Sequence, residues 1–157
     1  MPAQSQVVTP TLPVNLQAVV AANVLYNRLT AASSRLTLVF ERITSRMQKM
    51  NFLPVAARAS SKVKQLNTQY NLLKSQIDKL SAEKTKASTL YQTFSTNPES
   101  VNYQTLRKEI VTIDSLMKQI LEGEKGLVRA VKQVAPTASI SAIPTVTKAV
   151  TATPKAK

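Results

Sequence analysis

An all-α fold, an elongated antiparallel three-helix bundle or coiled coil with disordered N- and C-terminal arms, is predicted by three observations. First, residues 59 to 134 carry a sustained heptad in two runs. The first run is Val63, Leu66, Tyr70, Leu73, Ile77, Leu80, Lys84, Ala87, Tyr91 and Phe94. The second is Tyr103, Leu106, Ile110, Ile113, Met117, Ile120, Glu124, Leu127, Val131 and Val134. Second, an upstream stretch repeats the rhythm with a stripe too wide for one neighbour, which turns a two-helix hairpin into a three-helix core. Third, the 157 residues hold only 2 glycines, and β-branched alternation is missing.

The arm at 1–13 holds three prolines among Gln, Ser and Thr and no charged side chain, a composition that cannot build a core. Helix one is expected over about 14–51. Its seam reads Ala18, Ala22, Leu25, Leu29, Ala32, Leu36, Val39 and Ile43, then Met47 and Met50 after one step of four where three was due. Tyr26, Phe40 and Met47 lie beside this seam and widen the stripe. Asn51 can adopt the left-handed cap conformation, and Phe52-Leu53-Pro54 then turns the chain. Helix two is expected over about 54–95, with Pro54 at its first position, where a missing amide hydrogen costs nothing. Around Asn97-Pro98, either Asn97 caps helix three or Thr96 and Glu99 form a capping box. Helix three is expected over about 98–135, stopped by Pro136. Helices of this size are about 55 Å long. The tail at 136–157 is Ala, Thr, Pro, Val and Lys without helical period, and reads as a disordered basic arm. One domain at 14–135 is therefore expected.

Composition narrows function by exclusion. With no Cys, His or Trp, the chain has no disulfide framework, no thiolate metal site and no histidine base. No Gly-rich phosphate loop and no nucleophile with its base can be assembled, so no catalytic, cofactor-binding or metal site is assigned and an enzyme is not expected. The window from Leu12 to Tyr26 is the most apolar, but Asn15, Gln17 and Asn23 interrupt it, and no transmembrane segment is read. The chain opens on Met1-Pro2-Ala3 without a basic or apolar leader, so no signal peptide is read in it.

The net charge of +13 is uneven. Residues 14 to 51 contribute +4 and residues 52 to 97 +5, while 98 to 135 carry six positives against five negatives. Arg28, Arg35, Arg42 and Lys49 recur every seven residues along one edge of helix one, and Lys62, Lys64, Lys74, Lys79 and Lys86 extend the basic character to helix two. These are candidate anion-facing residues, Lys62 and Lys74 among them, and they suit an anionic envelope polymer, anionic lipid or nucleic acid, while a protein partner is left unspecified. All four tyrosines lie on or beside a seam, which withdraws the aromatic platforms that base stacking needs.

Lys84 and Glu124 are the charged residues at seam positions, and they read as core register markers. A turn centred near residue 97 sets Glu124 level with Leu73 and Lys84 with Ile113, so the two cannot pair. Counting round the first turn brings Arg35 near Glu124 and Asp114 near Lys84. Gly123 and Gly126 both fall inside helix three and weaken it, reading as a closely packed or frayed turn.

The run from Asn15 to Leu29 (NLQAVVAANVLYNRL), then ITSRMQKM, then a long helix, NPESVNYQTLR and a closing LVRAVKQV make a pattern over about residues 15–134. It resembles a loose group of uncharacterised helical, usually exported proteins of candidate-phyla bacteria. In that group an N-P or D-P turn precedes an aromatic-x-x-L-R segment, matched here by Asn97-Pro98 and by Tyr103 to Arg107. The resemblance implies an extracytoplasmic or cell-surface setting for a non-enzymatic structural or interaction module with a basic surface for an anionic partner. The alternative is a cytoplasmic nucleic-acid-associated protein that binds phosphates without sequence readout. Oligomeric state is not legible.

Overall fold

The computed structural model describes residues 16–138; the arm at 1–13 and the tail beyond 138 lie outside the described residues. It is an all-α bundle of three long helices, α1 (Leu16–Lys49), α2 (Ser61–Thr96) and α3 (Ser100–Ala138). Consecutive helices run antiparallel. Asn23 and Thr44 of α1 meet Tyr91 and Tyr70 of α2, so rising numbers on one face falling numbers on the other.

The hairpin seam is as the heptad predicts. Leu66, Tyr70, Leu73, Ile77, Leu80, Ala87 and Phe94 of α2 are buried against Leu106, Ile110, Ile113, Ile120, Leu127, Val131 and Val134 of α3. The register agrees as well, because a Cβ on Gly123 would lie 3.0 Å from Leu73 Cδ1. α3 is the central helix. It packs on α2 along its length and also on α1, whereas α1 and α2 touch far less. Leu116 and Glu109 are buried on α3 in addition to its seam.

Helix one is rotated from its expected seam. Ala22, Leu29 and Ile43 are buried as expected, with Leu36 half-buried, but the second row is Tyr26, Ser33, Phe40 and Met47 rather than Leu25, Ala32 and Val39. The irregular step at Ile43–Met47 therefore disappears, since 43 to 47 is an ordinary step between these two rows. The cause is ring area. Tyr26 stacks on Tyr91 with centroids 4.2 Å apart, and Phe40 stacks on Tyr70 at 5.3 Å. Large aromatic faces bury more apolar surface than Ala32 and Val39 could offer. Ser33 is tolerated in this row because its hydroxyl donates to the Thr30 carbonyl at 2.9 Å.

The α1 terminus forms the expected left-handed cap. Asn51 has φ 56°. Phe52 N–H donates to Met47 O at 2.9 Å and Asn51 N–H to Gln48 O at 3.0 Å, with Phe52 and Met47 both buried in contact range of the core. Helix two, expected from 54, begins instead at Ser61. Phe52 must reach the core first, and Leu53–Pro54 is a cis peptide in a connection that continues to Ser60. Ser60 is the N-cap, its hydroxyl accepting from Val63 N–H at 3.4 Å. Neither expected cap of α3 forms. Asn97 closes α2, donating to Thr93 O, while its side chain donates to Glu99 Oε1 at 2.9 Å. Tyr103 N–H bonds Glu99 O at 3.0 Å, so α3 starts two residues later than expected. Pro136 does not stop α3 as expected: the helix runs through it and ends at Ala138.

Candidate functional site

The basic residues singled out along the sequence do not form one surface. Arg28 and Arg35 stand at the outer edge of α1 beside α3. Arg42 and Lys49 lie further round, in a shallow cavity with Leu38, Glu41 and Arg46. Lys62 and Lys74 are exposed on α2, where Lys74 pairs with Asp78 at 3.2 Å. Among the described residues, Arg28, Arg35 and Arg42 have no ion-pair partner within 4.0 Å.

Rotation of α1 leaves an apolar row outside the core. Leu25 is 39% exposed and Val39 37%. With Ala32 they run one above another along α1, and across from them on α3 lie Val111, Met117, Leu121 and Val128. The result is a groove between two parallel helices, made of two successive cavities of about 450 and 470 Å³. Its rims are cationic. Arg28 and Arg107 edge the first cavity, together with Asp114, which is held by Lys118 at 2.7 Å. Arg35, Lys125, Arg129 and Lys132 edge the second. The α3 contribution was not legible as a basic face, because the helix is nearly neutral overall. Its acids Glu109 and Glu124 are turned inward while its cations stay at the surface.

The charged seam residues behave differently from each other. Lys84 is half-buried and makes no ion pair among the described residues; Asp114, expected near it, is engaged by Lys118. Glu124 is 2% exposed, and both its carboxylate oxygens lack a hydrogen-bond partner among the described residues. Burial pushes its carboxyl up to about 7. Arg35 lines the same cavity as expected, yet it does not come within ion-pair distance. Glu124 is a protonated or costly buried acid, not half of a salt bridge.

A second polar cluster lies between α2 and α3. Lys86 bonds the buried Glu109 and also Glu83 at 3.6 Å. The Glu109 hydrogen bond raises the Lys86 ammonium above its ordinary value. The Glu83 carboxyl is lowered, first by a side-chain hydrogen bond with Glu109 and then by Lys86. Heptad reading missed Glu109 because it lies one row outside the seam. No group of three acids able to hold a metal occurs among the described residues. The cluster is an interhelical ion pair that fixes the α2–α3 register.

The tyrosines are spent internally. Tyr91 OH donates to Asn23 Oδ1 at 2.6 Å, Tyr26 and Tyr70 stack as above, and Tyr103 tilts against Phe94 at 5.8 Å. No described helix is long and apolar enough to cross a membrane. No protein-family model, no curated protein and no solved structure matches the chain.

Proposed function

We propose that this chain is a non-enzymatic structural or interaction module of the cell envelope that holds an anionic partner on its basic surface. The observation that carries the reading is the α1 edge. Arg28, Arg35 and Arg42 are exposed and free of ion pairs among the described residues, while five acid–base pairs form elsewhere on the bundle. Unpaired surface cations attract an opposite charge over about a Debye length and steer its approach. The extracytoplasmic setting comes from the resemblance described above. Engagement of the tyrosines within the bundle speaks against nucleic acid, since single-strand recognition depends on free aromatic faces.

A salt titration tests the reading, using duplex DNA and an anionic envelope polymer or anionic vesicles as parallel ligands. The expected outcome is retention on the envelope ligand, together with recovery of the protein in the surface fraction of its host. Submicromolar binding to DNA at physiological salt, weakening steeply as salt rises, would replace the proposal with the cytoplasmic nucleic-acid alternative.

A further inference from the structure

We propose that the outer groove between α1 and α3 is a docking site for an acidic amphipathic helix of another protein, which would make a four-helix arrangement. The inference deepens the reading above, on which it rests, by naming the partner's chemistry and its seat.

Geometry supplies the first part. Leu25, Ala32 and Val39 are spaced by seven on α1, as Asp114, Leu121 and Val128 are on α3. The two rows lie along parallel neighbouring helices and form the walls of the two cavities. A heptad-spaced trough is the receiving surface for a helix whose own apolar residues repeat at the same interval. From Leu25 to Val39 the trough runs about 21 Å, the span of roughly four helical turns. A polysaccharide or a nucleic-acid backbone would find no use for this apolar floor.

Charge selects among possible helices. Arg28, Arg35, Arg107, Arg129 and Lys132 edge the groove with no ion-pair partner among the described residues, whereas Lys125 is held by Glu122 at 2.8 Å. Of the acids lining the groove, Asp114 is held by Lys118 and Glu124 is buried. Such edge positions meet the flanking residues of an incoming helix and set partner choice, so this rim demands acids there. A second copy of the chain would bring the same cations face to face. The chain's own unused segments supply no acid either: residues 1–15 carry no charged side chain, and residues 139–157 carry only Lys148, Lys155 and Lys157. Complementarity therefore points to a foreign acidic helix.

The test uses the full chain and a synthetic four-heptad peptide with leucine at the apolar positions and glutamate at the flanks. A scrambled peptide of equal composition is the control. We expect saturable one-to-one binding of the amphipathic peptide only. The pair Arg28→Glu and Arg129→Glu, on opposite rims, should weaken binding at least tenfold. So should Leu25→Ser with Val39→Ser, whose sites are exposed enough to leave the fold intact by circular dichroism. Lys62→Glu with Lys64→Glu, an equal charge change on α2, should leave it within twofold.

Equal binding of the scrambled peptide, or equal sensitivity to the α2 pair, would overturn the groove while leaving the broader anionic-surface reading standing. Absence of peptide binding alongside retention on anionic polymer would do the same. Dimerisation of the free protein that Leu25→Ser with Val39→Ser abolishes would overturn it in favour of a second copy. Binding to phosphatidylglycerol vesicles lost in that variant, with no peptide binding, would overturn it in favour of a membrane surface.

Discussion

Removing the charge at Glu124 should change how the bundle's stability depends on pH. The carboxyl is pushed up to about 7 in the folded chain from an ordinary value of 4.5, because burial disfavours its charged form. Between those two pH values the folded state holds a proton that the unfolded chain has released. Stability therefore falls as pH rises through this window. Each pH unit costs about 1.4 kcal/mol, and the whole window about 3 kcal/mol. The loss is complete above pH 7 and absent below 4.5. Arg35, Lys125, Arg129 and Lys132 line the same cavity, but none forms an ion pair with Glu124 within 4.0 Å that would offset the burial. Urea denaturation followed by circular dichroism, on wild type and Glu124→Gln at several pH values, isolates the effect. The acids whose carboxyls are lowered, Glu83 and Glu122, act the same way in both proteins and cancel in the difference. Glu124→Gln should gain on wild type by about 3 kcal/mol between pH 4.5 and pH 8. Glu124→Leu should fold and be at least as stable as wild type at pH 8, since an unpaired buried charge is replaced by apolar volume. A pH-independent difference between wild type and Glu124→Gln, or a difference of opposite sign, would refute the burial argument.

Thermal and urea unfolding give three further checks. Gly126→Ala should stabilise by about 1 kcal/mol, because a helical Cβ there meets nothing within 4 Å, whereas Gly123→Ala should gain less or lose because Leu73 must shift from 3.0 Å. Phe94→Ala should cost about 3–5 kcal/mol, since the ring is 1% exposed where α2 turns into α3. Tyr91→Phe should cost about 1 kcal/mol by leaving Asn23 Oδ1 without its donor, while the stack with Tyr26 persists.

Much of the hairpin was legible in sequence because both of its runs carry narrow seams. A continuous heptad row marks one line of contact, so Leu66 through Phe94 and Leu106 through Val134 could be set facing each other, while the packing of α3 on α1 has no such row. The left-handed Asn51 was legible for a local reason: few residues tolerate that conformation, and asparagine is one of them. Helix starts were less legible. Pro54 suits a first helical position, but burial of Phe52 claims the chain at that point and postpones α2 until Ser60 can cap it. Glu109 escaped notice because a buried acid outside the seam has no periodic signature. Its place depends on Lys86 arriving from α2.

What the sequence determined by itself is the helical class, the α2–α3 seam and its register, and the concentration of cations on the first two helices. What only the tertiary structure decided is the rotation of α1, and with it the groove. A stripe as wide as that of α1 contains two possible seams, and spacing cannot choose between them. The choice was made by rings meeting across the bundle, Tyr26 on Tyr91 and Phe40 on Tyr70, which bury more surface than Leu25, Ala32 and Val39 would. Those three residues were thereby turned outward beside Arg28 and Arg35, giving the bundle an apolar trough with a charged rim.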